Sequence, residues 1–362
     1  MQNICSKTIM NLGMKDKVTA ELEIENKSVT MDVVTLNKEQ FYKINNIDTM
    51  RPFFMSIVSD SNHWMFISSN GGLSAGRKNA EFAIFPYYTD DKITESFEIT
   101  GSKTIFQILH NNQVTVWEPF SDRFTDKFTI TRNIYKNVYG NKIVFEEINH
   151  DLELSFSYEW NSSNKFGFVK QSKITNNSDY SYQISALDGL QNIMPYGVGS
   201  DLQAATSNLV DAYKRSELHQ KSGLGIFALS AIIVDKAEPS EALKANTILS
   251  LGFDNPTYLL SSLQISNFRR NKKVTLESDI KGEKGAYFVN KDFNLLPNSS
   301  KEWMFVANVN QNHSDIIQLI DTISNDNSLE NQIKEDIQLG TQKLIEINAS
   351  SDAIQLTNDN LR

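Results

Sequence analysis

Residues 152–160 read Leu-Glu-Leu-Ser-Phe-Ser-Tyr-Glu-Trp, and this stretch decides the fold class. Apolar and polar side chains alternate, so the leucines and aromatic residues share one face of an extended chain and the polar residues share the other. This pattern is typical of a half-buried strand in an antiparallel sheet. The same alternation recurs at residues 18–24 and 303–309, which predicts strands at both ends of a long β region.

Turn-forming sequences separate the alternating runs. They are Asn70-Gly71-Gly72, Tyr139-Gly140-Asn141, Asn161-Ser162-Ser163-Asn164 and Asn176-Asn177-Ser178. Many strands joined by short polar turns over about 300 residues predict a large antiparallel β-sandwich rather than a βαβ fold. No G-x-G-x-x-G or P-loop sequence is present, so nucleotide binding has no support in the sequence.

One helix is predicted within the β region. Ser200 and Gln203 fit a capping box, and apolar residues recur at helical spacing between positions 202 and 212. The helix is expected to run from Ser200 to about Glu217.

The pattern becomes helical after Asn310. Isoleucines at 316, 320 and 323 share one helical face, with Ser314 as the expected N-cap, and apolar residues at 333, 337 and 344 form a second stripe. Two helices joined around residues 325–327 are predicted. Such helices need a partner surface, either on the sandwich or on a domain that follows. We therefore divide the chain into a β domain, residues 1–310, and a helical linker, residues 311–362.

The charge balance excludes several classes of partner. The net charge is −9, whereas nucleic-acid binding needs a basic footprint, and an anionic membrane surface would repel such a chain. Cys5 is the single cysteine, so an internal disulfide cannot form. The N-terminal sequence lacks the apolar segment of a signal peptide, and no apolar run is long enough to span a membrane. We expect a cytoplasmic protein.

No catalytic residue or metal ligand can be assigned from the sequence. The five histidines show no metal-ligand spacing, and no G-x-S-x-G sequence occurs. Glu146 and Glu147 are adjacent in a predicted strand, so they point to opposite faces and cannot serve together in one cleft.

A glycine-rich segment from Asn70 to Arg77 is the first candidate binding element. Its three glycines allow tight backbone turns, and the Arg77 guanidinium can bind a carboxylate or phosphate through two hydrogen bonds. The alternative is a hairpin in which Arg77 pairs with Glu81 or Asp90.

The second candidate element contains Tyr87, Tyr88, Asp90 and Asp91. Aromatic rings stack on the C–H faces of sugars, and carboxylates accept hydrogen bonds from sugar hydroxyls. The alternative is a turn in which the aspartates cap backbone amides.

Several segments, in this order, resemble the N-terminal region of glycoside phosphorylases related to cellobiose phosphorylase (glycoside hydrolase family 94), including the oligoglucan phosphorylases. They are S-N-G-G-L-S-A-G-R at 69–77, F-P-Y-Y-T-D-D-K-I at 85–93, F-G-F-V-K-Q-S-K-I-T-N at 166–176 and D-G-L-Q-N-I-M-P at 188–195. The resemblance covers most of the β region.

The resemblance implies a β-supersandwich of the galactose-mutarotase-like type, followed by linker helices and an (α/α)6 barrel. In that family the barrel carries the general acid and most of the site for inorganic phosphate, which is the co-substrate. This chain would then hold no catalytic residue. It would contribute to a homodimer and to the rim of a site for a β-glucan oligosaccharide, and the rim candidates are Asn70, Arg77, Tyr87, Tyr88, Asp90 and Asp91.

Two other functions remain open at this point. An aldose mutarotase or epimerase on the same fold would need a histidine acid and a carboxylate base across one cleft. His110 or His150 with Glu118 or Glu147 could form that pair. The other function is a carbohydrate-binding or assembly module without turnover.

Overall fold

The structure is a computed structural model that describes residues 28–110, 112–124, 126–204, 208–231 and 243–352. The strand predicted at 18–24 lies outside these residues. The described chain is mainly β, with all strand pairs antiparallel, as the sequence predicts.

In chain order the strands are β1 Thr30–Leu36, β2 Glu39–Asn45, β3 Phe54–Ile57, β4 His63–Ser68, β5 Leu73–Arg77, β6 Ala83–Phe85, β7 Gly101–His110, β8 Gln113–Trp117, β9 Ile130–Asn137, β10 Ile143–Asn149, β11 Leu154–Ser163, β12 Gly167–Asn176, β13 Tyr182–Ile193, β14 Lys214–His219, β15 Leu224–Leu229, β16 Lys244–Leu251, β17 Thr257–Leu259, β18 Asp279–Lys281, β19 Gly285–Leu295 and β20 Ser300–Asn312. The helices are α1 Asp90–Glu95, α2 Ser200–Ala204, α3 Asn208–Tyr213, α4 Ile265–Arg269, α5 His313–Asn325 and α6 Leu329–Asp352.

These strands form three sheets. The large sheet has eleven strands in the order β1-β2-β9-β10-β11-β12-β20-β16-β15-β14-β18. A five-stranded sheet has the order β17-β19-β13-β7-β8, and a four-stranded sheet has the order β3-β4-β5-β6. Apolar side chains from all three sheets pack into one core, which is the arrangement expected of a sandwich.

The alternation at 152–160 is confirmed in β11. Phe156, Tyr158 and Trp160 are buried in the core, whereas the serines and Glu159 between them face outwards and are only partly buried. The turn predicted at 161–164 begins later than expected. Residues 161–163 continue β11, since Ser163 pairs with Gly167 of β12, and the turn occupies residues 164–166, so Asn164 alone of the predicted residues lies in it.

A buried charge lies between the large and five-stranded sheets. Asp188 of β13 is fully buried, and four side chains donate hydrogen bonds to its carboxylate. The donors are Lys170 Nζ at 2.6 Å, Ser172 Oγ at 2.8 Å, Thr104 Oγ1 at 2.6 Å and Trp303 Nε1 at 2.7 Å. We call this group the Asp188 cluster. Because every buried charge in it is paired, it can exist in an apolar core.

Helices α5 and α6 cover part of the outer face of the large sheet. The isoleucines of α5 and the buried Ile333 and Ile337 of α6 pack against outward-facing side chains such as Val169 and Val306. The apolar stripes therefore have a partner on the sandwich, which was one of the two expectations. The N-cap of α5 is Asn312 in a capping box with Asp315, not Ser314 as predicted.

The helix expected from Ser200 to Glu217 ends earlier. Helical structure stops at Tyr213, and β14 begins at Lys214. Side chains 214, 216 and 218 alternate with more exposed ones, and β14 pairs with β15 and β18. Tertiary pairing overrides the local helical spacing here. The Ser200 hydroxyl donates to Glu81 rather than to a capping box.

Candidate functional site

A cleft of about 230 Å³ opens where the β4–β5 turn, the segment after α1 and the β8–β9 connection meet. We call it the loop-end cleft. Its polar lining residues are Asp48, Asn70, Asp122, Arg132 and Asn133, and its aromatic lining residues are Phe97, Phe120 and Phe145. A second cavity of about 10 Å³ shares Asn70, Phe97 and Phe120 with the cleft, and Tyr158 lines its inner side. Polar groups and aromatic walls therefore converge on one opening.

The β4–β5 turn places Asn70 at the cleft. The Asn70 Nδ2 donates to the Thr94 carbonyl of α1 at 2.9 Å, and its Oδ1 accepts from the Gly72 N–H at 3.3 Å. Gly71 has φ +94°, and a Cβ there would lie 2.8 Å from the Tyr158 hydroxyl. Only glycine fits this position without strain, which explains the glycine pair in the sequence.

Phe120 forms one wall and has a strained backbone. Its φ is 61°, a region that bulky side chains rarely adopt. The strain is held by two contacts: the Phe120 N–H donates to Glu147 Oε2 at 2.7 Å, and the ring packs edge-on against Tyr158 with centroids 5.2 Å apart. Strained residues that are held in this way concentrate at functional sites.

Glu147 is fixed by its partners beside the cleft. It is buried, and it accepts hydrogen bonds from Arg132 Nε at 2.8 Å and Trp117 Nε1 at 2.7 Å. Burial alone would lower the pKa of Arg132, but Glu147 and Asp122 more than offset this and raise it. The Glu147 carboxylate is thus held as an ion-pair partner and is not available as a base.

A second ion-pair group lies next to it. Glu118 is buried and accepts from Arg269 Nη2 at 2.7 Å and Lys103 Nζ at 3.1 Å, and Lys103 also contacts Glu98 at 2.5 Å. Burial would raise the pKa of Glu98, but Lys103 and the Ser121 hydroxyl lower it overall. The buried carboxylates around the cleft are therefore engaged in structural pairs.

Tyr87 and Tyr88 differ in environment. Tyr87 is 43% exposed, and its ring lies edge-on to Trp64. Tyr88 is half-buried, which raises its pKa, and the Lys92 ammonium lies 4.5 Å from its ring centroid. Its hydroxyl accepts a long hydrogen bond from Asn192 Nδ2. Tyr87 is thus the more accessible of the two rings.

Asp90 and Asp91 are the first residues of the short helix α1. Asp91 accepts hydrogen bonds from the Thr89 hydroxyl and the Lys92 N–H, and the Thr89 hydroxyl is the main cause of its lowered pKa. This geometry matches the alternative in which the aspartates cap backbone amides. Asn70 also contacts α1 through Thr94, so the two candidate segments lie side by side.

Arg77 lies apart from the other candidates, at the far end of β5. Its guanidinium donates to Asn62 Oδ1, Asn308 Oδ1 and the Asn164 carbonyl at 2.7–3.2 Å. The predicted pairing with Glu81 or Asp90 is wrong, because Glu81 instead accepts from Ser200. Burial lowers the pKa of Arg77.

Three of the residues proposed for a mutarotase, His150, Glu147 and Glu118, are hydrogen-bonded to other partners. His150 Nε2 is hydrogen-bonded to the Thr131 hydroxyl in the β10–β11 turn, whereas Glu147 and Glu118 are each paired with an arginine. His110 ends β7. The His110 side chain lies outside the described part of the structure, and among the described side chains no hydrogen bond joins His150 to Glu118 or Glu147.

The described residues hold neither a metal-binding cluster nor a membrane-spanning helix. They contain no group of three or more histidine, cysteine, aspartate or glutamate side chains placed to hold a metal ion. They also contain no helix with the length and apolar character needed to cross a membrane.

Sequence reasoning missed the residues that shape the cleft, namely Phe97, Phe120 and Arg132. A weak signal was present, because Pro119 lies just after strand β8 and just before an aromatic residue. The sequence could not show that these residues meet at one cleft, because they come from different segments of the chain.

Comparisons with known proteins give distant structural likenesses. No family model and no curated protein matches the chain. Solved structures that resemble it include a polysaccharide lyase (9% identity, TM-score 0.40, covering 75% of this chain and 34% of the lyase). Another is described as a kojibiose phosphorylase from the human microbiome (9% identity, TM-score 0.35, covering 85% of this chain and 31% of the phosphorylase). A third is described as an aldose 1-epimerase from Klebsiella pneumoniae (9% identity, TM-score 0.29, covering 83% of this chain and 93% of the epimerase).

This chain spans about a third of the length of the lyase and of the phosphorylase. At these identities and TM-scores the likenesses do not identify a function.

Proposed function

We propose that this chain is a non-catalytic, carbohydrate-associated domain whose loop-end cleft binds a sugar unit at the rim of an active site. The whole enzyme would be a β-glucan or oligosaccharide phosphorylase, or a related glycoside hydrolase. A downstream (α/α)6 domain would supply the catalytic groups and the site for inorganic phosphate, and the chain would contribute to a homodimer.

One observation carries this proposal. The cleft combines partly exposed aromatic rings, Phe97 and Phe120, with amide, carboxylate and guanidinium groups, while the buried carboxylates beside it are tied to arginine and lysine. Aromatic and polar groups together suit a sugar ring. Glycoside chemistry needs two free carboxylates across the bond. The cleft is therefore equipped to bind rather than to cleave.

The size of the cleft limits the ligand. A volume of about 230 Å³ lies below the range typical of drug-sized ligands, so one or two sugar units are expected rather than a long chain. Calorimetry with sophorose, laminaribiose and cellobiose would test this. We expect one of these disaccharides to bind, and Phe97→Ala to weaken that binding about tenfold.

Phe54→Ala is the matched control, because Phe54 is 45% exposed on the four-stranded sheet and does not line the cleft. Equal weakening by both variants would contradict the assignment of the cleft.

A turnover assay tests the non-catalytic part of the proposal. The chain alone, given phosphate and a β-glucan oligosaccharide, should release no sugar 1-phosphate, and polarimetry should detect no acceleration of glucose mutarotation. Release of sugar phosphate by the chain alone would refute this part of the proposal.

A further inference from the structure

The outer face of the five-stranded sheet carries a groove of about 540 Å³. Helix α4 and the segment that follows it cover one end of this face, where Ile105, Leu187 and Phe288 form an apolar cluster with Phe268. The other end is open. There the floor bears polar side chains from β7, β13, β17 and β19, and we call this opening the amide groove.

Amide and hydroxyl side chains are regularly spaced along the floor of the groove. In the register of the sheet, Ser185 lies between Asp292 and Gln107, and Gln183 lies between Asn294 and Leu109. Strands are about 4.8 Å apart and alternate residues about 7 Å apart, so the groups repeat across the groove at short intervals. A ligand that lies across the strands would meet a polar group on each of several strands.

Two amides are held in place by the protein. Gln107 Nε2 donates to the Phe268 carbonyl at 2.7 Å, and Asn290 Nδ2 donates to the Ala186 carbonyl at 2.9 Å. In the part of the chain that the structure describes, their side-chain oxygens accept no hydrogen bond. Fixed acceptors of this kind lower the entropy cost of binding a hydroxyl-bearing ligand.

Three other polar side chains of the groove have no hydrogen-bond partner among the described residues. Gln183, Asp292 and Asn294 make no side-chain hydrogen bond or ion pair within those ranges. The polar groove on the large sheet, about 480 Å³, is different because three ion pairs lie along it: Lys142–Glu39, Lys173–Glu302 and Lys334–Glu330. Most charges of that groove thus have a partner in the protein.

The charge of the groove indicates an uncharged ligand. Among its lining residues only Lys273 and Asp292 are charged, and their charges cancel, on a chain with a net charge of −9. Amides both donate and accept hydrogen bonds, as neutral polyols do. An acidic ligand would find no excess of cations here, and a cationic ligand no excess of carboxylates.

We propose that the amide groove is a second carbohydrate site, which binds a neutral oligosaccharide chain across strands β17, β19, β13 and β7. It goes beyond the rim function of the loop-end cleft. It would hold a polymeric substrate by several sugar units, whereas the cleft takes one or two.

Calorimetry with β-1,2-, β-1,3- and β-1,4-linked glucan hexasaccharides tests the proposal on the full chain. We expect wild-type protein to bind one of them, and the double variant Gln183→Ala/Asn294→Ala to bind it at least tenfold more weakly. Both side chains are exposed, so the fold should be retained, and the melting temperature would verify this. Gln171→Ala, which removes an amide from the large-sheet groove, is the matched control and should bind normally.

Three results would overturn the proposal. They are no hexasaccharide binding by wild-type protein, unchanged binding by the double variant, or binding of an oligosaccharide only when it carries uronate groups. Phe97→Ala separates the two sites: it should weaken disaccharide binding at the cleft and leave hexasaccharide binding at the amide groove in place. Failure of either proposal therefore leaves the other measurable.

Discussion

Strand β13 carries polar side chains on both faces, but their burial and hydrogen bonding differ. On the inner face, Asp188 is fully buried and its carboxylate is saturated by donors from β7, β12 and β20. On the outer face, Gln183 is exposed and has no side-chain partner among the described residues. A polar group whose hydrogen bonds are completed by the protein stabilises the fold, and one left open in a groove is available to a ligand. The predictions below test this distinction.

Asp188→Ala should have the largest effect. It would leave the Lys170 ammonium buried without its counter-charge, and breaking a buried pair in this way costs about 3–5 kcal/mol. Denaturant unfolding monitored by tryptophan fluorescence would measure the loss.

Lys173→Ala is the control for Asp188→Ala, because its pair with Glu302 is solvent-exposed and should contribute at most about 1 kcal/mol. A comparable loss of unfolding free energy in both variants would contradict the distinction between the buried and the exposed ion pair.

Ile333→Ala tests whether apolar packing on the outer face of the large sheet, where α6 covers it, contributes to stability as core packing does. Ile333 of α6 is fully buried against the large sheet, so its truncation should cost about 3 kcal/mol. Ile317→Ala on α5, where the side chain is 67% exposed, should cost under about 0.5 kcal/mol. Thermal unfolding of the two variants gives the comparison. Similar values would mean that α6 is not docked as described.

His63 shows a second way to bury an ionisable group, by keeping it neutral. Its pKa is lowered to about 3, mainly by burial and then by the nearby Arg77, although Asp336 acts in the opposite direction. The unfolded chain therefore takes up a proton below pH 6.5 while the folded chain does not until about pH 3. Stability attributable to His63 is complete above pH 6.5 and decreases as the pH falls, by at most about 1.4 kcal/mol per pH unit.

His63→Gln removes this linkage. Between pH 7 and pH 5 the wild-type protein should lose about 2 kcal/mol more unfolding free energy than the variant. Urea denaturation at the two pH values checks the difference. Parallel losses would show that the folded protein accommodates a protonated His63.

Gln183→Ala/Asn294→Ala should have the smallest effect on stability, below about 0.5 kcal/mol, because both side chains are exposed and neither has a hydrogen-bond partner within the described ranges. Its expected effect is on oligosaccharide binding alone. Chemical denaturation of the double variant, run beside the binding assay, measures its unfolding free energy for comparison with that of Asp188→Ala. A large loss of stability would show that the groove residues serve the fold.

Local patterns predicted the fold class well where periodicity and burial agree. The alternation of β11, the strand at 303–309 and the two C-terminal helices are confirmed. Prediction failed where pairing partners decided the structure. Residues Lys214–Glu217 suit a helix locally, yet the sheet edge at β15 makes them a strand. Asn161–Ser163 look like a turn, yet β12 extends the strand through them.

The candidate sites were only partly predictable. Asn70 lies at the loop-end cleft, but Arg77 faces elsewhere, because a five-residue strand separates them. The amide groove left no local signal at all. It is formed by residues on different strands, such as Gln107, Ser185 and Asp292, which become neighbours only through the register of the sheet.

The position of β20 has a consequence for how the chain folds. This strand, the last one within the described residues, inserts between β12 and β16, so both of those edges stay unpaired until it is made. The ribosome completes β20 at residue 312, which is 136 residues after the end of β12 at residue 176 and takes about 7–27 seconds at 5–20 residues per second. During that interval the edge of β12, and later also the edge of β16, presents unpaired backbone N–H and C=O groups that could pair with other molecules. From this sheet order we expect chaperones that cover exposed strand edges to raise the yield of folded protein during synthesis.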